Sequence, residues 1–156
     1  MEKIVKSENL ETLISLLKNE RKKIILTNGC FDILHIGHSR YLKEAKSLGD
    51  ILIVGINSDL SVKKLKGPDR PLNNEHDRAE LLSYFYFIDY VVVFGEQTAD
   101  NLILKIKPDI YVKGGDYTRE SLPEAKTLGI TGSDVAFISF VHGYSTTKLI
   151  EKAKFA

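Results

Sequence analysis

Two histidines, His35 and His38, are the residues whose type and spacing best suit chemistry. They follow an apolar run at 23–27, and the apolar residues after them recur at helical spacing: Tyr41, Leu42, Ala45 and Leu48. This pattern predicts a buried strand followed by a helix from about residue 36 to 48, with the histidines flanking its first turn. A helix start offers unpaired N–H groups and the positive end of a dipole, to which two imidazoles add donors. The stretch is therefore interpreted as a triphosphate cradle.

Two other interpretations of the histidines remain open at this point. Each ring could merely cap the helix or pack against it. A metal site is the second alternative, but the only third ligand nearby is Asp32, and no cysteine pair supports a structural zinc site. The single cysteine, Cys30, lies in the same turn, where it is interpreted as a small space-filling residue or a reactive thiol.

The turn that carries the two histidines, residues 30–38, is called the histidine turn, and a sheet has to hold it in place. The sequence predicts five apolar strands that alternate with helices. The predicted strands are at 23–27, 50–56, 89–94, 110–112 and 134–140. This alternation predicts an α/β fold, a Rossmann-like doubly wound parallel five-stranded sheet in the order 3-2-1-4-5 with helices on both faces. We expect one domain over 1–156, with an N-terminal helix in 1–21 and a catalytic core in 22–156.

A basic stretch at 61–71 follows the second predicted strand and contains two prolines and a glycine. It is predicted to be a loop at the carboxyl edge of the sheet, where Lys63, Lys64, Lys66 or Arg70 could reach bound phosphates. A solvated charged face is the alternative. Further along, Asn74 is predicted to cap a helix that carries Arg78, which could assist at the site or form a surface ion pair.

Two more segments are predicted at the same edge of the sheet. Gly114 and Gly115 end the fourth predicted strand and would let backbone approach a ligand, while Asp116 could accept hydrogen bonds from sugar hydroxyls. A plain turn is the alternative there. The second segment is a run of hydroxyl residues that opens the last helix, either as a cap or as a second phosphate site: Ser145, Thr146 and Thr147.

Composition favours a small ligand over a polymer. The 156 residues include 22 basic and 21 acidic side chains, a net charge of +1, which gives no electrostatic reason to expect binding to nucleic acid or to a membrane. One cysteine and the absence of a long apolar run lead us to expect a cytoplasmic protein. The sequence also lacks the glycine-rich motifs of dinucleotide oxidoreductases and P-loop ATPases.

The stretch from Asn28 to His38 resembles the His-x-Gly-His signature of the nucleotidyltransferase superfamily, which includes cytidylyltransferases and class I tRNA synthetases. Further segments extend the match: Leu48-Gly49-Asp50, Asn57-Ser58-Asp59, Leu65-Lys66-Gly67 with Arg70-Pro71, Val112-Lys113-Gly114-Gly115-Asp116-Tyr117, and Gly143-Tyr144-Ser145-Thr146-Thr147. Together they resemble the sugar-phosphate branch of that superfamily, and most closely the bacterial heptose 1-phosphate adenylyltransferases.

The resemblance implies transfer of AMP from ATP to heptose 1-phosphate, giving ADP-heptose and pyrophosphate. It implies a catalytic set of His35, His38, Lys66 and Arg78. The implied nucleotide-binding residues are Asn28, Gly29, Phe31, Asp32, Gly37, Lys63, Lys64, Gly114, Gly115, Asp116, Ser145, Thr146 and Thr147. Mg²⁺ is expected with ATP, its ligands being left open between Asp32 and Asp116, and relatives suggest a homo-oligomer, a dimer or larger.

The resemblance leaves two alternatives. Glycerol-3-phosphate cytidylyltransferases share Ser145-Thr146-Thr147-Lys148, so a polyol-phosphate cytidylyltransferase that uses CTP is the second candidate; Gly114-Gly115-Asp116 is the reason for preferring ATP. The third candidate is a nucleotide-binding regulatory module without chemistry. The closing motif lacks the later arginine of the coenzyme A and nicotinate branches, which argues against those substrates.

Overall fold

The computed structural model describes residues 2–139 and 143–155, in which a parallel sheet is flanked by helices. In chain order the elements are β1 (Ile4–Val5), a 3₁₀ turn (Ser7–Asn9), α1 (Leu10–Asn19), β2 (Ile24–Gly29), α2 (Ile36–Lys46), β3 (Ile51–Asn57), α3 (Asp59–Lys66), α4 (Glu75–Ser83), β4 (Tyr90–Phe94), α5 (Asp100–Ile106), β5 (Ile110–Gly114), α6 (Ala125–Thr131), β6 (Asp134–Ile138) and α7 (Thr146–Lys154). The six strands are ordered β1-β4-β3-β2-β5-β6, and each neighbouring pair is parallel.

The predicted five-stranded sheet in the order 3-2-1-4-5 is therefore corrected to six strands. The additional strand is Ile4–Val5, which pairs with Val91 and Val92 of β4 at one edge. Two residues are too few to show any periodicity, so the sequence pattern gave no sign of this strand. The last strand ends at Ile138, and the predicted extension to Phe140 lies outside the described residues.

Each face of the sheet carries its own apolar core, because successive side chains of a strand point to opposite faces. In β2, Ile24 and Leu26 pack with α1 and α5, whereas Ile25 packs on the other side with α2 and α4. All three side chains are fully buried. Helices on both faces leave the carboxyl edge of the sheet as the open side, where parallel α/β sheets bind ligands.

The basic stretch at 61–71 is not entirely the predicted loop, because its first six residues belong to helix α3. The hydroxyl of Ser58 accepts a hydrogen bond from the N–H of Ser61 and so caps the helix, while Val62 is fully buried against the core. The cap and this packing hold the segment in a helix in spite of its charges. Only 67–71 form the loop that leads towards α4.

A buried hydroxyl pair fixes α2 against the sheet. The hydroxyls of Tyr41 and Thr27 lie 2.7 Å apart, and both donate towards the carbonyl of Val112 in β5, at 3.2 and 3.0 Å. Burial raises the pKa of Tyr41 to about 12, so the phenol stays protonated and keeps its hydrogen. The helix that carries the histidines is thereby tied to the neighbouring strands β2 and β5. Within the described residues, no helix is long and apolar enough to cross a membrane.

Candidate active site

His35 and His38 stack on one another where the chain enters α2. Their ring centroids are 3.8 Å apart with an angle of 26° between the rings. Phe31 places its ring edgewise to His38 at 5.3 Å, and Tyr144 lies parallel to His35 at 6.2 Å. The four rings form a column that joins the β2–α2 turn to the segment before α7.

The histidine pair is electrically neutral in the unliganded protein at pH 7. Burial, followed by the proximity of His35, lowers the pKa of His38 to about 4, and burial also lowers the pKa of His35. The backbone N–H of His35 donates to Nδ1 of His38 at 3.3 Å. Because Nδ1 is the acceptor, the proton of the neutral His38 ring sits on Nε2 and can be donated to a phosphate oxygen.

Gly37 is required by the stacked ring beside it. A Cβ at this position would lie 2.9 Å from both Cε1 and Nδ1 of His35, and 3.2 Å from Cβ of Tyr144. Real Cβ contacts are not that short, so any side chain would displace the ring of His35. The sequence led us to expect that this glycine gives phosphates room to approach, and the structure adds that it gives the imidazole room to stack.

Two helix starts meet at the histidine turn. The first N–H groups of α2 have no acceptor within the helix, since only from Ser39 onward does a residue reach a carbonyl four positions earlier. At α7, Ser145 accepts the N–H of Lys148 as a cap, and the hydroxyl of Thr146 donates to the carbonyl of Ile33 at 3.1 Å. The structure thus brings Ser145 and Thr146 to the histidine turn, whereas Thr147 is exposed.

Asp32 is an anchor of the loop after α3. Its side chain is only 1% exposed, and its carboxylate accepts Nε–H of Arg70 at 2.7 Å and the backbone N–H groups of Leu72 and Asn73 at 2.9 Å. Burial alone would raise the pKa of Asp32, but the hydrogen bonds from Asn73, Leu72 and Arg70 outweigh it and lower that pKa. Both carboxylate oxygens therefore accept hydrogen bonds from the chain's own donors, while a contact of Asp32 with a nucleotide stays a prediction.

Arg78 holds two strand ends together from inside the protein, where it is 2% exposed. Its Nη1 donates to the carbonyls of Cys30 at 2.7 Å and Asn57 at 2.8 Å, and its Nε donates to the carbonyl of Asn73. Nη2 pairs with Asp59 at 2.8 Å. These bonds fix the carboxyl ends of β2 and β3, while a direct catalytic role of Arg78 stays a prediction.

The three predicted lysines, Lys63, Lys64 and Lys66, are exposed on the last turn of α3. Among the described residues none of them forms a salt bridge. Burial raises the pKa of the Cys30 thiol, against an opposing effect of the positive charges of Lys66, Arg78 and Arg70. Arg78, bonded to the carbonyl of Cys30, and Arg70, bonded to Asp32, place two cations beside the end of β2.

The carboxyl end of β5 forms the opposite side of the crevice. Thr27 of β2 pairs with Val112 of β5 as the last pair between these strands, so Asn28 and Lys113 are the first residues beyond the paired region. Gly115 has φ of 94°, a conformation that favours glycine, and Asp116 is exposed.

Asn28 and Lys113 are both held by neighbours at this end of the sheet. The amide oxygen of Asn28 accepts a hydrogen bond from the hydroxyl of Tyr111 in β5, which fixes the side chain of Asn28. Lys113 Nζ is 3.8 Å from Oε1 of the buried Glu124 and 5.5 Å from the ring centroid of Tyr117. The end of β5 thus carries a loosely held cation.

The described residues do not form a protein-only metal cage. Within 2–139 and 143–155, no three His, Cys, Asp or Glu side chains come close enough to hold an ion. The carboxylate of Asp32 is occupied by Arg70, Leu72 and Asn73, whereas that of Asp116 is exposed. This donor set fits a Mg²⁺ that is bound chiefly by substrate phosphates and water, as Mg²⁺ commonly is.

Tyr144 is a site residue that the sequence reasoning missed. Its ring centroid lies 6.2 Å from that of His35, yet the sequence gave Tyr144 no role beyond its place in the matching segment 143–147. An aromatic residue directly before that triplet was the available signal. The pairing of Asp32 with Arg70 had no such signal, because the two residues lie 38 positions apart.

Comparison with known proteins agrees with this geometry. The sequence profile of the cytidylyltransferase-like family matches residues 26–152. The chain belongs to the cytidylyltransferase-like family. The predicted nucleotidyltransferase is thereby confirmed as the class of enzyme, and the matched range runs from β2 through α7, including the histidine turn and the hydroxyl residues.

Individual relatives narrow the comparison within the family. The chain is 54% identical over 153 residues to the bifunctional protein HldE of Campylobacter jejuni subsp. doylei, a match that covers 98% of this chain and 32% of that protein. It is 52% identical over 149 residues to the HldE of Helicobacter pylori, covering 93% of this chain and 30% of that protein. The chain thus spans about a third of the length of these curated relatives.

A solved structure shows the same fold. The crystal structure of the lipopolysaccharide core biosynthesis protein from Thermoplasma volcanium matches with a TM-score of 0.62 and 31% sequence identity. The match covers 77% of this chain and 97% of that one. The α/β fold with a parallel sheet is therefore common to both proteins.

Proposed function

We propose that the protein transfers AMP from ATP to heptose 1-phosphate, producing ADP-heptose and pyrophosphate. The observation that carries this proposal is the neutral, stacked pair of His35 and His38 at the open start of α2, next to Thr146. Similarity to HldE proteins over nearly the whole chain supports the choice of a heptose phosphate as acceptor.

In the proposed reaction, an oxygen of the sugar phosphate attacks the α-phosphorus of ATP. One P–O bond forms, the bond from the α-phosphorus to the bridging oxygen breaks, and pyrophosphate leaves with that electron pair. A phosphate monoester has its second pKa near 6, so the attacking oxygen is already largely ionised at pH 7. The reaction therefore requires positioning and charge stabilisation more than a general base.

The chain's own groups supply that stabilisation in the proposed mechanism. Nε2–H of His38 and the free N–H groups of α2 donate to phosphate oxygens on which negative charge accumulates. Lys66, Lys63 and Lys64 are assigned to the outer phosphates because they are exposed cations on the last turn of α3, which follows the carboxyl end of β3. A Mg²⁺ bound with ATP would neutralise part of the triphosphate charge, and the exposed carboxylate of Asp116 would be available to hold it.

A cytidylyltransferase that acts on a polyol phosphate is the second candidate. It is favoured by the Ser145-Thr146-Thr147-Lys148 sequence at the start of α7, which glycerol-3-phosphate cytidylyltransferases share, and by the family to which the chain belongs. The same fold and the same histidine pair would serve either nucleotide.

One assay separates the candidates. Purified protein is given ATP or CTP together with heptose 1-phosphate or glycerol 3-phosphate in the presence of Mg²⁺, and pyrophosphate release is measured. We expect release with ATP and heptose 1-phosphate. Release with CTP alone would favour the second candidate, and nucleotide binding without release in any combination would indicate a regulatory module.

We also propose that the protein is a cytoplasmic homo-oligomer, a dimer or larger. Sedimentation equilibrium over a range of protein concentrations tests the oligomeric state. A mass equal to that of one chain at all concentrations would contradict that part of the proposal.

A further inference from the structure

Arg70 is the one cation of the basic stretch that is both held in place and still has donors to offer. Its side chain is 18% exposed, and its Nε bonds to the carboxylate of Asp32 at 2.7 Å. In the part of the chain that the structure describes, its two Nη atoms have no hydrogen-bond partner. Four N–H hydrogens on a fixed guanidinium therefore remain unpaired.

The other cations near the end of β2 differ from Arg70 in one of two ways. Arg78 is fixed, but its nitrogens already bond Cys30, Asn57, Asn73 and Asp59. The lysines of α3 have free ammonium groups, but they are exposed and unanchored, so holding one at a ligand costs side-chain entropy. Arg70 combines a fixed position, like that of Arg78, with free donors, like those of the lysines.

The anchor of Arg70 belongs to the histidine turn itself. Asp32 lies three residues before His35, and its backbone carbonyl also accepts the side-chain amide of Asn73 at 2.7 Å. Arg70 is thus attached to the same rigid segment that presents the histidines. Since Asp32 lies three residues beyond the last residue of β2, this bond places the guanidinium close to the end of that strand.

We propose that Arg70 binds a phosphate group of a substrate through its Nη atoms and that Asp32 is the positioning residue that aims it. This inference rests on the proposed function. A guanidinium whose Nε is bonded to a carboxylate presents its Nη edge outward, and such an edge matches two oxygens of one phosphate. The phosphate belongs either to the sugar phosphate or to the triphosphate, and the experiment distinguishes the two.

Steady-state kinetics of Arg70→Ala and Arg70→Lys, with each substrate varied in turn, test the binding role. A lost charge-assisted bond pair is expected to raise the KM of one substrate by about 10- to 100-fold. A raised KM for the sugar phosphate assigns the acceptor, and a raised KM for the nucleotide assigns the triphosphate. Lysine keeps the charge but has a single nitrogen, so Arg70→Lys should retain most of the defect.

Lys18→Ala is the control for the loss of a positive charge, because Lys18 is exposed in the last turn of α1, which leads to the amino end of β2, opposite the edge that carries the histidines. It should leave both KM values unchanged. Thermal melting of each variant checks the fold, and Arg70→Lys should melt within a few degrees of the natural protein. If Arg70→Lys is folded and neither KM changes by more than twofold, the proposal is wrong.

Asp32→Asn tests the positioning role through a double-mutant cycle. On its own it should raise the same KM that Arg70→Ala raises, because the guanidinium is no longer aimed. In the Arg70→Ala background it should have no further effect on that KM, whereas additive effects would show that Asp32 acts independently of Arg70. Failure of the proposed function is a different result, since the natural protein would then release no pyrophosphate from ATP and heptose 1-phosphate.

Discussion

The β2–α2 turn, residues 30–38, and the C-terminal segment, residues 143–155, both contribute to the candidate site, but they are held very differently. The turn is held by buried groups, including Asp32, Arg78 and Phe31. Helix α7, in contrast, has no buried residue, and Phe155 after it is 92% exposed. The segment reaches the turn through the bond from Thr146 to Ile33 and the ring of Tyr144.

This difference indicates that the β2–α2 turn is part of the buried core, whereas the C-terminal segment lies on the surface of the protein. A change in the turn should alter catalysis strongly, and a buried change there should also alter stability. A change in the C-terminal segment should affect the site while leaving the free energy of global unfolding nearly unchanged, because little apolar surface is buried there. The following predictions test this contrast from the largest expected effect to the smallest.

His38→Ala should lower kcat by about 100-fold or more, the scale of one lost transition-state donor. The variant should fold, because the half-buried ring is a small part of the apolar core. Pyrophosphate release under saturating substrates measures the effect. His76→Ala, at an exposed histidine of α4, is the matched control and should be fully active. An active His38→Ala enzyme would remove the histidine pair from the mechanism.

Gly37→Ala should lower kcat/KM by about 10- to 100-fold, because the methyl group displaces the ring of His35 by a distance that matters for catalytic alignment. The same assay measures it. Gly129→Ala is the control, since a Cβ there meets no atom within 4 Å. Equal activity of the two variants would mean that the stacked position of His35 is not needed for turnover.

Stability should fall as the pH drops from about 6.5 towards 4. The pKa of His38 is about 4 in the folded protein against 6.5 for an unperturbed histidine, so the unfolded chain binds a proton across this range and the folded protein does not. The loss should amount to about 1 to 3 kcal/mol, allowing for partial exposure of the ring. Urea unfolding at pH 7 and 4.5 measures it, and His38→Gln should flatten the dependence. A dependence unchanged in His38→Gln would assign it to other groups.

Ser145→Ala should have the smallest effect on global unfolding, below about 0.5 kcal/mol, although a lost cap usually costs about 1 kcal/mol. The reason is that α7 can fray without exposing core, which hydrogen exchange of the α7 amides would detect as faster exchange. Asn74→Ala is the matched control: Asn74 caps α4, whose Ala79 and Leu82 are buried, so the full cost should appear in urea unfolding. Equal losses in both variants would contradict the contrast between the two regions.

The parts of the molecule that the sequence predicted are those with a local physical signature. Buried parallel strands such as β2 and β3 have continuous apolar runs, and the histidines occur at a spacing tied to the start of a helix. The cap of α4 by Asn74 was predicted from the preference of asparagine for that position and is present.

The parts that could not be predicted depend on contacts between distant residues. Strand β1 exists only because β4 offers it an edge, and α3 forms because Val62 has a core to enter. Asp32 and Arg78 have the charges of ligand-binding residues, but partners far along the chain occupy their donors and acceptors. No periodicity or motif encodes such a pairing, so a charged side chain at a strand end is ambiguous until the fold is known.

The short strand β1 has a consequence for solubility. Beyond its pairing with Val91 and Val92, the carbonyl of Lys3 accepts the N–H of Val91, and Lys3 Nζ donates to the carbonyl of Phe85. Without this cover, β4 would present the unpaired backbone of an apolar strand, Tyr90–Phe94, to neighbouring molecules. Strand β1 covers that edge with only two residues, which are flanked by Lys3 and Lys6. The new edge is too short and too charged to pair with a strand of another molecule. A few residues far from the histidines thus protect the protein against edge-to-edge aggregation.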